Sequence, residues 1–148
     1  MCNGLTEAGG ELRYVYDPDP EKVREFQKRF PQARAASSEE EILEDSSIKL
    51  VASACIPLYR PELGLRVLSR GKNYFSDKPG FTRLEQIEKA REKVKETGLR
   101  WGIYFSERLH VESAVFAGEL IKKGAIGRVV HVIGTGPRLQ MLTDSAEI

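Results

Sequence analysis

The sequence predicts an α/β fold built on a doubly wound parallel sheet. Three observations carry this. Short β-branched and aromatic runs alternate along the chain with helical patterns of roughly 10–15 residues. The most continuous apolar run, residues 48–56, is broken only by Lys49 and Ser53, as expected of a strand covered on both faces. The connections between runs are too long for hairpins and suit right-handed crossovers.

Taken in order, Leu12-Arg13-Tyr14-Val15-Tyr16 is the first strand pattern. Asp17-Pro18-Asp19-Pro20 stops it and opens a helix, with Asp19 as N-cap and Pro20 at the first helical position. Val23, Phe26 and Phe30 share one face of that helix, which Pro31 ends. A short, weak strand is expected over residues 33–36. Ser38 and Glu41 then form a capping-box pattern. After the apolar run and Pro57, a helix is expected over residues 61–69, stopped by Gly71. The strand carrying Tyr74 and Phe75 follows, then a helix boxed by Thr82 and Glu85 with Ile87, Ala90 and Val94 inward and Gly98 at its end. Residues 99–105 make another strand, with Trp101 in the core. Val115, Phe116, Leu120 and Ile121 mark a helix stopped by Gly124, and residues 128–133 a last strand.

The 148 residues suffice for one core and hardly two. Apolar content of 41% and charged content of 30% describe an ordinary soluble domain. A net charge of +1, with no basic stripe, argues against a nucleic-acid surface. No apolar stretch approaches membrane-spanning length, and the N-terminus lacks a signal-peptide pattern, so the cytoplasm is the expected compartment. Cys2 and Cys55 fit neither a disulfide framework nor a metal spacing; Cys55 is expected as a small buried residue. His110 and His131 have no metal partner in sequence, and no metal site is expected.

Asp77-Lys78-Pro79, at the end of a strand that feeds a helix, is the most informative motif. In open α/β sheets ligands bind outside the carboxyl ends of the strands. A lysine there can hold or protonate an oxygen of a bound substrate; a solvated turn is the alternative. Asp17 is open in the same way, between a ligand-binding carboxylate and a turn residue.

In order along the chain, Val15-Tyr16-Asp17-Pro18-Asp19-Pro20, Pro57, residues 71–79 ending Asp77-Lys78-Pro79, Arg108-Leu109-His110 and residues 119–129 together resemble the nucleotide-binding half of the Gfo/Idh/MocA oxidoreductases. The likeness covers about residues 5 to 136. It implies a Rossmann-like domain over residues 1–124 and the start of a substrate domain over 125–148, truncated at both ends. It implies hydride transfer between nicotinamide and a secondary alcohol or ketone of a sugar, cyclitol or similar small molecule. Lys78 is the implied catalytic residue. Asp17, Pro57, Asp77, Lys78, Pro79 and Arg108 are implied to border the cofactor. Asp17 would accept from the adenosine ribose and repel a 2′-phosphate, favouring NAD; NADP stays open through Arg13 or Lys22. The resemblance implies a cis peptide before Pro79, with a trans turn as the alternative.

The departures are as informative. The family's first strand and Gly-x-Gly-x-x-Gly turn have no counterpart in the sequence, which begins as if inside the first helix. Leu58 and Pro61 stand where the family has Asn and His. No position matches the family's catalytic histidine. Without a first strand, the strands at 12–16 and 48–56 are expected either to pair directly or to associate through open edges, leaving homo-oligomers open. Two readings compete with the enzyme: a non-catalytic interaction or regulatory protein of this fold, and an inactive gene-model fragment.

Overall fold

Every strand pair in the structure is parallel, as the long crossovers predict. The computed structural model describes residues 2–106 and 110–133. Its elements are α1 (Cys2–Glu7), β1 (Tyr14–Val15), α2 (Pro20–Arg29), β2 (Arg34–Ala35), α3 (Glu39–Glu44), β3 (Leu50–Ser53), α4 (Arg60–Ser69), β4 (Asn73–Asp77), α5 (Leu84–Thr97), β5 (Trp101–Tyr104) and α6 (Glu112–Lys122). Residues up to Phe105 form one unit and those from Ser106 another.

The helix starts follow local chemistry. The Asp19 carboxylate accepts from the Glu21 amide at 2.9 Å, and Pro20 needs no donor at the first helical position. Phe26 and Phe30 stack along α2 with ring centroids 4.9 Å apart. Two expected capping boxes form differently. Ser38 Oγ accepts from the Glu41 amide, but the Glu41 carboxylate turns to Ser37, accepting from its amide at 2.7 Å and its hydroxyl at 2.8 Å. At α5 the closing side chain is Gln86 rather than Glu85, accepting from the Thr82 and Arg83 amides at 2.9 and 3.0 Å. The box is shifted by one residue because Arg83, not Thr82, is the N-cap.

The strands lie in two sheets, β1-β2 and β3-β4-β5. Of the two outcomes expected from the sequence, direct pairing of the first strand with the 48–56 run does not occur. Side chains link the two instead. Tyr14 donates its hydroxyl to Asp45 Oδ2 at 2.9 Å, and Arg13 Nη1 donates to Ser47 Oγ at 2.6 Å. Arg34 on β2 bridges the Tyr14 hydroxyl at 2.8 Å and Glu41 Oε1 at 2.5 Å. These side chains join β1 and β2 to α3 and the turn after it, with no backbone ladder between the two sheets.

The 48–56 run also corrects the expectation of a strand buried on both faces. Only Leu50–Ser53 is strand, and Leu50 and Ala52 are exposed. Register explains this. Val51, Tyr74 and Trp101 lie side by side on one face, with Ser53, Ser76 and Ile103 next along it. That face meets the helices: Val51 and Trp101 pack against the buried cluster of Leu43, Val67, Leu68 and Tyr74, with Leu63, Val94 and Leu99 around it. Trp101 meets Tyr74 edge to face at 5.0 Å. Gly64 lets the indole press against α4, since a Cβ there would come within 2.2 Å of Cη2. Cys55, past the strand, is half-buried rather than buried.

In the second unit α6 forms as expected, and its C-cap is Lys123, just before Gly124. The strand expected over 128–133 is not formed: those residues carry no ladder, because no strand among the described residues of that unit offers them a partner.

Candidate functional site

The carboxyl ends of β3 and β4 are built into one structure by an arginine. Past β3 the chain turns through Pro57, half-buried, into Arg60, the first residue of α4. Arg60 is only 4% exposed. Its Nε donates to the Cys55 carbonyl at 2.7 Å, and its Nη1 donates to the carbonyls of Asp77 and Pro79 at 3.0 and 2.9 Å. A buried guanidinium requires such acceptors, because leaving its donors unmet is costly. The sequence reading passed over Arg60; its signal, a lone cation in the stretch Ile56-Pro57-Leu58-Tyr59-Arg60-Pro61, is faint.

Between the two bridged carbonyls sits Lys78. Its amide donates to Asp77 Oδ1 at 2.8 Å, so Asp77 fixes the lysine's backbone. The Lys78–Pro79 peptide is cis. Gly80 follows, buried; a Cβ there would lie 2.3 Å from Ile103 Cδ1, so the segment lies close over β5. Lys78 itself is half-buried at the strand end. Beneath it on the helix-facing side, Ser76 and Tyr74 are buried, and burial pushes the Tyr74 phenol up to about 12, so it stays neutral at ordinary pH.

Asp17 lies two residues past β1, half-buried. Its Oδ1 accepts from the Asp19 amide at 2.9 Å, which tightens the turn into α2. Among the described residues Oδ2 takes no hydrogen bond. The turn role and an acceptor role are therefore compatible in one carboxylate. Arg108 lies outside the described residues. The structure thus brings Asp77, Lys78 and Pro79 together at Arg60, leaves Pro57 in the turn before that arginine, and places Asp17 past the end of a strand in the other sheet.

Residues 3–105 match the family model of the Gfo/Idh/MocA oxidoreductases, described as an NAD-binding Rossmann fold. The chain belongs to this oxidoreductase family. Over 126 residues it is 28% identical to scyllo-inositol 2-dehydrogenase (NAD(+)) of Bacillus subtilis (strain 168), covering 85% of the chain and 36% of that protein. It is 45% identical to a protein of Erwinia carotovora atroseptica SCRI1043, solved by crystallography and designated an oxidoreductase, with a TM-score of 0.84 over 88% of the chain and 39% of that one. A levoglucosan dehydrogenase solved with NADH and levoglucosan, 24% identical, shares the fold at a TM-score of 0.72, over 80% of the chain and 32% of its own.

In this Gfo/Idh/MocA chain two polar groups stand past strand ends. The Asp17 carboxylate stands two residues past β1, and Lys78, its amide held by Asp77, stands past β4. The 148 residues contain no Gly-x-Gly-x-x-Gly, the turn whose amides hold a pyrophosphate. Among the described residues no helix is long and apolar enough to cross a membrane.

Proposed function

We propose that this chain supplies the nucleotide-binding part of an NAD-dependent dehydrogenase acting on a secondary alcohol, or its ketone, of a sugar, cyclitol or related small molecule in the cytoplasm. The observation that carries the reading is Lys78, held at the carboxyl end of β4 with both flanking carbonyls anchored. The relative named scyllo-inositol 2-dehydrogenase supports the substrate class.

When bound, the nicotinamide takes or returns the hydride. The residues of the chain position and polarise. Asp17 Oδ2 accepts from the adenosine ribose hydroxyls, while Oδ1 keeps the turn. Lys78 Nζ donates to the oxygen of the reacting carbon, stabilising charge as it develops and sharing its proton. Asp77 keeps Lys78 aimed through its backbone, and Pro57, Pro79 and Arg108 border the cofactor. Residues from 125 onward lead into the substrate domain in this reading.

The test is a chimera in which residues 1–148 replace their counterpart in the Erwinia protein, which then contributes the rest of its own chain. NAD-dependent oxidation of cyclitols or sugars by the chimera, lost in Lys78→Ala, supports the reading. A chimera that folds and binds NAD but turns over no polyol supports the non-catalytic alternative.

A further inference from the structure

We propose that Arg60 is a positioning residue for Lys78. The inference rests on the reading of Lys78 given above, and reaches a residue that neither the motif nor the family match assigns.

The argument is geometric. A catalytic side chain has to be held within fractions of an ångström by groups that are themselves locked. Lys78 follows the last residue of β4, beyond which the chain loses its ladder partners. Arg60 replaces them. One nitrogen, Nη1, spans the carbonyls on either side of Lys78, while Nε holds the Cys55 carbonyl at the end of the neighbouring strand. One planar group therefore fixes the ends of both strands relative to each other and sets the backbone from which the lysine projects. Arg60 in turn cannot drift, being buried in the first turn of α4, whose Gly64 is locked under Trp101. The fork is specific to arginine: a lysine ammonium is a point donor and cannot hold three carbonyls in this arrangement.

The experiment compares wild type, Arg60→Lys, Arg60→Ala and Lys78→Ala in the 148-residue chain by amide hydrogen exchange, and in the chimera by kinetics. Arg60→Lys and Arg60→Ala are expected to speed exchange across residues 76–82 by about tenfold or more, with α5 unchanged. Guanidinium ion at low concentration, but not sodium, is expected to restore protection to Arg60→Ala. In the chimera, Arg60→Lys is expected to lower kcat while leaving the KM for NAD near wild type. Uniform loss of protection, no loss at 76–82, or an Arg60→Lys chimera with full kcat would each overturn the proposal. Full turnover in Lys78→Ala would instead overturn the catalytic reading of that lysine, and the exchange data would still decide whether Arg60 holds the segment.

Discussion

The indole of Trp101 occupies the space that a side chain on Gly64 would need. A Cβ built on Gly64 meets Cη2 at 2.2 Å and Cζ2 at 2.4 Å, and a rigid bicyclic ring has no flexible end to move aside. Gly64→Ala is therefore expected to destabilise the unit by about 1–3 kcal/mol, the usual cost of overpacking a core. Pairing it with Trp101→Leu should recover part of that loss. Urea unfolding of the two single variants and the double variant measures both, and simple additivity would show that the ring and the glycine do not compete for space.

Acid should loosen the link between the two sheets first. The Ser47 hydroxyl and amide, then the Tyr14 hydroxyl, hold the Asp45 carboxyl down at about 2. A carboxyl lowered on folding lends stability above its unfolded value of about 3.9 and loses it as pH falls through the folded value. The stability gap between wild type and Asp45→Ala is thus expected to be full at pH 5 and above, on the scale of that unfolded value, and to close between about 4 and 2. A gap that persists unchanged to pH 2 would mean the carboxylate is not the source.

Lys78→Ala in the chimera is expected to lower turnover by about 10²–10⁴, because a group acting on the reacting oxygen counts mainly in the transition state. NAD affinity should change little. Steady-state kinetics alongside NAD titration separates the two, and unchanged turnover would return Lys78 to the role of a surface residue.

The chimera should bind NAD more tightly than NADP. In the proposed reading Asp17 accepts from the ribose hydroxyls and repels a 2′-phosphate. Asp17→Ala should narrow the preference. Equal affinities in the parent chimera would direct attention to Arg13 and Lys22.

The 148 residues alone are expected to show no dehydrogenase activity and to bind NAD only weakly, since the amides that would cradle a pyrophosphate are not among them. Calorimetric titration at millimolar NAD checks this. A saturable micromolar isotherm would refute it.

Local chemistry made much of this legible in the sequence. Asp19-Pro20 and the Val23–Phe26–Phe30 face fix a helix within one crossover, and the Asp77-Lys78-Pro79 step is placed by the strand run before it and the helix start after it. Non-local partners made the rest illegible. Whether residues 48–56 are covered on one face or two depends on which helices pack there, and no periodicity within the run records that. Gln86 displaced Glu85 at the start of α5 because the cap moved by one residue, a choice between near-equal local geometries. Arg60 was hidden because its three acceptors are backbone carbonyls, which every residue has.

The division of the strands into two sheets has a consequence for cooperativity. Around β1, β2 and α2 only Val23 and Ala33 are buried apolar residues, whereas Leu43, Val67, Leu68, Tyr74 and Ala90 are gathered around the three-stranded sheet. The free energy of opening follows such burial, so the portion around β1 and β2 is expected to open more readily than the portion around β3-β4-β5. No ladder transmits the order of one to the other; Tyr14, Arg13 and Arg34 do so with polar contacts that water can replace. Amide exchange is therefore expected to be faster around Asp17 than around Lys78.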